Sequence, residues 1–258
     1  MKGKLEICVD SVESARLAKE AGADRLEVCA NLIIGGTTPG VSQFRQIRKS
    51  CDIPLNVLVR PRFGDFLYTD AEFQMIEEDI QMFQELGADG VVIGCLNADG
   101  SLDAGRMERL KACAGQMHFT LHRAFDVCEN PYQTLEDAVA LGVDTILTSG
   151  QAPVCTQGKE VLEKLIVQAK ERVEILVGGG VNAQVIRQLS EEIHAYSFHM
   201  SGKCVVDSGM VYRNKNVNMG LSGFPEFDIL RADKGEIQKA RQAMDKNMEE
   251  EKNIKGIQ

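Results

Sequence analysis

Eight short apolar segments recur along the chain, each followed by a helical pattern, and this alternation constrains the fold more than any other feature. The segments are Leu5–Val9, Leu26–Cys29, Leu55–Val59, Val91–Cys95, Phe119–His122, Ile146–Thr148, Ile175–Val177 and Tyr196–His199. Amphipathic patterns follow at Val12–Ala21, Val41–Lys49, Ala71–Leu86, Ala104–Ala114, Tyr132–Leu141, Val161–Lys170 and Ala183–Leu189, with a last one at Asp233–Asn247. Strict alternation of strand and helix dictates parallel strands with right-handed crossovers. Eight such units in 258 residues have the size of a (β/α)8 barrel. A doubly wound open sheet has fewer strands and a glycine-rich loop after the first; here Asp10-Ser11-Val12 stands in that place.

The joints support the same reading. Gly22-Ala23-Asp24, Gly87-Ala88-Asp89 and Gly142-Val143-Asp144 each separate a helix from a strand, and glycine there ends a helix in the left-handed conformation. Asp10/Glu13 and Thr69/Glu72 have capping-box spacing, and Asn130-Pro131 puts proline at a first helical position. No linker divides the chain, so residues 1–247 are expected to form one barrel domain and 248–258 a flexible, charged tail. The stretch from Gly202 to Leu230 is too long for a plain loop; it folds over the mouth or makes a subunit contact.

A net charge of −9 without a basic run argues against nucleic acid and anionic membranes as partners. No apolar stretch approaches the ~20 residues that span a bilayer, and the charged N-terminus lacks a secretory h-region. The expected location is cytoplasmic. There the eight cysteines, scattered without a CxxC pair, are free thiols.

Side chains alternate along a strand. In the first, Leu5, Ile7 and Val9 share one face and Glu6, Cys8 and Asp10 the other; in the second, Glu27 and Cys29 oppose Leu26 and Val28. Helices cover a barrel's outside, so the polar faces point inward. The same phase places Asn56 and Arg60, Thr120 and His122, Thr148, then Ser197, His199 and Ser201 inward, with Arg62, Arg123 and Asp126 just beyond the strand ends. Functional groups of such barrels gather at those C-terminal ends.

Cys8 and Cys29 read as matching positions on adjacent strands about 5 Å apart. Two thiols so placed suit a soft ion such as Cu(I); they equally suit two small core residues. Gly178-Gly179-Gly180 after strand seven and Ser201-Gly202 after strand eight stand where many barrels bind phosphate through backbone N–H groups. Arg60, Arg62, Arg123, Thr148, Gly179, Gly180 and Ser201 are thus candidate anion contacts, unless the glycines only make tight turns. Glu27, His122, Asp126 and His199 are candidate acid–base groups. No lysine falls on a strand, Lys159 and Lys203 being read as loop residues, which argues against a Schiff-base aldolase. No serine nucleophile elbow is present.

Several strings, in order from Cys8 to Asn214, resemble the CutC family. They are Cys8-Val9-Asp10-Ser11, Leu26-Glu27-Val28-Cys29 and Gly35-Gly36-Thr37-Thr38-Pro39, then Val59-Arg60-Pro61-Arg62, Gly64-Asp65-Phe66-Leu67-Tyr68 and His122-Arg123-Ala124-Phe125-Asp126. Leu147-Thr148-Ser149-Gly150, Gly178-Gly179-Gly180, Phe198-His199-Met200-Ser201, Asp207-Ser208-Gly209-Met210 and Tyr212-Arg213-Asn214 complete them. The resemblance implies a cytosolic barrel, a homo-oligomer (dimer or tetramer), a link to copper homeostasis, and Cu(I) held by Cys8 and Cys29.

Three functions follow as expectations. The first is a Cu(I)-binding copper homeostasis protein. The second is a barrel enzyme, a lyase, isomerase or hydrolase, acting on a small phosphorylated or carboxylated metabolite; Arg60 and Arg123 would hold the anion and His122 and Glu27 exchange protons. The third is a scaffold that binds a partner through Lys203 to Leu230.

Overall fold

The computed structural model describes residues 3–214, 216–217, 219 and 225–255, with 248–255 as backbone alone. All eight expected segments are strands: β1 Leu5–Val9, β2 Arg25–Val28, β3 Leu55–Leu58, β4 Gly90–Ile93, β5 His118–Leu121, β6 Thr145–Thr148, β7 Glu174–Val177 and β8 Ser197–Met200. They pair in parallel in chain order, and β8 closes onto β1. Around them run α1 Val12–Glu20, α2 Val41–Ser50, α3 Asp70–Glu85, α4 Ala104–Ala114, α5 Pro131–Ala140, α6 Lys159–Ala169, α7 Ala183–Ile193 and α8 Lys234–Lys255. The molecule is a (β/α)8 barrel. None of its described helices is long and apolar enough to cross a membrane.

The repeated joint has a mechanical role. Gly22, Gly87 and Gly142 have φ of 95°, 79° and 71°, a region that only glycine enters without strain. The aspartate two residues later then reaches the neighbouring strand. Asp24, Asp89 and Asp144 each accept a backbone N–H at 2.8 Å, from Leu5, Leu55 and Phe119. Each aspartate also returns its own N–H to the carbonyl of the same residue. Three of the strand pairs are thus clasped at their N-terminal ends.

The aliphatic faces pack outward against the helices: Leu5, Ile7, Val9, Leu26 and Val28 are fully buried there. The inner face is polar from its first layer. β2, β4, β5, β6 and β7 each begin one residue before the expected start, and this adds Arg25, His118, Thr145 and Glu174 to the interior. They form a plug. Arg25 Nε donates to Glu6, and Arg25 Nη1 lies 3.2 Å from His118 Nε2 and 3.7 Å from Glu174 Oε2. Thr145 and Ser197 donate to the two Glu174 oxygens at 2.7 and 2.6 Å. Buried charge is costly unless paired, and here every carboxylate meets a cation or hydroxyl. The plug closes the N-terminal end, leaving the C-terminal end as the open mouth.

Above the plug, Gly90 makes room for Asn56. A Cβ on Gly90 would lie 2.4 Å from Asn56 Oδ1 and 2.7 Å from the His118 carbonyl oxygen. Gly90→Ala is therefore expected to lower stability by about 2–3 kcal/mol, read as a reduced urea midpoint with an unchanged slope.

Beyond β8 the chain forms an antiparallel pair, β9 Lys203–Asp207 and β10 Asp228–Ala232, which spans the stretch Gly202–Leu230 judged too long for a plain loop. Lys203 and Lys159, read as loop residues, open β9 and α6. Residues 215, 218 and 220–224 of that stretch, and 256–258 of the expected tail, lie outside the described residues. The last helix runs on to Lys255, past the Asn247 boundary read from its apolar pattern.

Candidate functional site

The mouth encloses a cavity of about 270 Å³, near the small end of ligand-binding pockets. At its floor three different strands deliver one side chain each. Cys8 comes from β1, Glu27 from β2 and His199 from β8, and one ligand atom of each lies within 4.8 Å of the others. All three are buried. The register explains the meeting: Cys8 pairs with Glu27, and Glu6 pairs with His199.

His199 is held by its far nitrogen. Its Nδ1 lies 2.8 Å from Glu6 Oε1, while Nε2 faces the cluster 4.0 Å from Glu27 Oε1. Glu6 is in turn fixed by Arg25. Burial opposes charge on Glu6, but Arg25 and His199 outweigh it and hold its carboxyl down at about 2. Glu6 is thus an anion that receives the Nδ1 proton and leaves the Nε2 position for the cluster. Burial also works against a charged His199; the Cys8, Glu27 and Glu6 groups overcome it and raise the ring well above its usual value. Glu27 moves the other way. Burial, reinforced by Glu6 and opposed by His199 and Arg25, pushes its carboxyl up to about 7. The floor thus pairs an imidazolium with a carboxyl that changes charge near neutral pH.

Cys29 does not sit level with Cys8, as strand-by-strand alternation suggested. Glu27 occupies that level, and Cys29 lies beyond the end of β2. Its thiol donates to the Val9 carbonyl at 3.6 Å and packs with Leu58 and Val92. Burial first, then Cys8 and Glu27, push that thiol well above its ordinary value.

The upper wall carries Arg60, His122, Arg123, Gly179, Gly180 and Ser201. Arg60 is buried beside the Phe66 ring, its guanidinium carbon 5.0 Å from the centroid. It donates to the carbonyls of Gly35, Gly36 and Gly64. His122 accepts the Ala124 N–H at Nδ1, 3.2 Å, so its proton sits on Nε2. Burial and the nearby Arg60 drive its pKa down to about 3. At neutral pH it is a hydrogen-bond donor rather than a base.

Besides Cys29, three sequence candidates lie off the cavity wall. Arg62 turns away to Glu72 and Asp65 at 2.5 and 2.9 Å and braces the loop before α3. Asp126 sits in the 3-10 turn Arg123–Val127 and is consumed by the loop after β6. It accepts from Thr148 Oγ1 at 2.6 Å, from the Ser149 and Gln151 amides, and from Arg123 Nε at 2.6 Å. Thr148, expected to point inward, faces outward toward that turn. Its neighbour Leu147 lines the cavity instead. The β6 string Thr-Ile-Leu-Thr alternates without a polar face, so its phase was illegible.

Comparison with known proteins gives a consistent result. The CutC family model matches residues 3–204. The chain is similar to the family protein CutC of Histophilus somni, 41% identical over 90% of this chain and 96% of the relative. It is also similar to the human copper homeostasis protein cutC homolog, 41% identical over 84% of this chain and 80% of the relative. The solved structure of CutC from Streptococcus agalactiae superposes with a TM-score of 0.72 at 30% identity, over 78% of this chain and 99% of that one.

Proposed function

Since this chain belongs to the CutC family, we propose that it serves copper homeostasis by taking a single Cu(I) ion, as cargo, onto the barrel floor. The reading rests on one observation: a thiol, an imidazole nitrogen and a carboxylate from three strands meet within 4.8 Å in a buried setting. The donor set fits the ion. Cu(I) prefers soft sulfur and imidazole nitrogen and accepts low coordination, so Cys8 Sγ and His199 Nε2 are its ligands, the ring giving up its Nε2 proton as the ion binds. The Glu6 carboxylate behind His199 Nδ1 supplies the outer support that ligating histidines usually have. Glu27 is a hard donor that balances the ion's charge. Cys29, just past the end of β2, is a second thiol.

The human relative is called a copper homeostasis protein homolog, which agrees with this reading. All eight cysteines are free thiols, in keeping with a cytoplasmic, reducing setting. Val205, Met210, Val211 and Tyr212, exposed on and beside β9, are a suitable contact for the homo-oligomer the family resemblance implies.

The test is an anaerobic Cu(I) titration followed by X-ray absorption at the copper edge. One ion per chain with a sulfur and a nitrogen neighbour is the expected result. Two sulfurs without nitrogen would move the ion to Cys8 and Cys29, and protein that retains no copper would end the proposal.

A further inference from the structure

The copper reading leaves the upper wall unexplained. Arg60 is 8% exposed and, among the described residues, has no carboxylate partner. Its Nη1 and Nη2 are spent on the neutral carbonyls of Gly35, Gly36 and Gly64, and its Nε is buried with no acceptor. A buried cation without a counter-charge is expensive. The carbonyls account for its position but not for its charge. His122, 4% exposed, likewise keeps a buried Nε2 without a partner. Both residues line the cavity.

The opposite wall is also short of acceptors. Gly179 and Gly180 have φ of 87° and 77° and follow β7 at the mouth. Among the described residues neither amide N–H has an acceptor. The Arg123 guanidinium carbon lies 3.8 Å from where a Gly179 Cβ would stand, which puts the arginine alongside this wall. Among the described residues the cavity lining therefore carries Arg60, Arg123 and Lys203 against the single carboxylate of Glu27. Asp126 answers Arg123. The surplus is positive, in a chain whose net charge is −9.

We propose that the barrel mouth is a binding site for a small oxyanion-bearing metabolite, a carboxylate or a phosphate monoester, held between Arg60 and His122 on one wall and the Gly179 and Gly180 amides on the other. The anion supplies the counter-charge Arg60 lacks and accepts from donors that otherwise have no partner. Guanidinium groups and free backbone amides are the usual donors to both kinds of oxyanion. The metabolite is small because the cavity is about 270 Å³. The proposal is separate from the copper reading, since neither Cys8 nor His199 contributes to it.

The experiment is thermal unfolding of the metal-free, chelator-treated protein with inorganic phosphate, glycerol 3-phosphate or succinate, each against chloride at matched ionic strength. At ten times its Kd a bound anion should raise Tm by about 3–6 °C. A response to the phosphates or to succinate identifies which oxyanion the site prefers. Arg60→Met, which keeps the stem against Phe66, should abolish it. If no probe exceeds chloride, or Arg60→Met responds like the wild type, the proposal is overturned. Should that variant not fold, wild-type crystals soaked in selenate decide the matter: a selenium-edge peak against Arg60 supports the site, and its absence there overturns it.

Discussion

Cys8→Ser is expected to weaken Cu(I) binding by roughly a thousandfold, well beyond the ten- to hundredfold that follows loss of a group supporting a ligand. Cys8 contributes the single sulfur of the floor cluster, and oxygen is a poor substitute for sulfur toward a soft ion. His199→Gln should cost a similar factor, because it removes the nitrogen that Glu6 orients from 2.8 Å away. Cys29→Ser should cost about tenfold or less, within the range of a supporting group. Its thiol already donates to the Val9 carbonyl and sits among Leu58 and Val92, and burial opposes its thiolate. Competition against a chromogenic Cu(I) chelator under anaerobic conditions gives the three affinities. Equal losses for Cys8→Ser and Cys29→Ser would show that a second sulfur, not the imidazole, completes the site.

That the two cysteines stand at different levels was not visible in the sequence, and the reason is physical. Alternation along one strand tells which side chains share a face. It says nothing about the stagger between strands, which barrel closure sets. Cys8 and Cys29 each follow a glutamate by two residues, at Glu6 and Glu27, and so invite alignment with each other; the observed register puts Cys8 beside Glu27. The fold itself was legible because its signals are local and repeated. Eight apolar runs and three Gly-X-Asp joints sit where the strands and clasps are found. Most of the cavity wall was legible too, since Glu27, Arg60, His122 and His199 stand in unambiguous phase. Thr148 was not, because β6 offers threonine on both faces. The plug was missed for a simpler cause. Arg25, His118, Thr145 and Glu174 open their strands, and an apolar run leaves its polar first residue outside the pattern.

The second large effect concerns acid. His122 is buried and neutral, its pKa driven down to about 3 by burial and by Arg60, whereas an unfolded histidine titrates near 6.5. Between those values the unfolded chain binds a proton that the native ring refuses. Stability therefore falls as pH drops through this window, by roughly 1.4 kcal/mol per pH unit for one such group. From pH 7.5 to 4.5 the wild type should lose about 2–3 kcal/mol that His122→Gln does not lose, because glutamine has no proton to take up. The remaining carboxylates and histidines titrate in both proteins, so the difference isolates this ring. Urea unfolding at the two pH values measures it. Parallel losses in the two proteins would mean that His122 ionises as an ordinary histidine. The ring would then be hydrated rather than held dry against Phe66, 4.7 Å away, and would no longer be the fixed neutral donor that the upper wall requires.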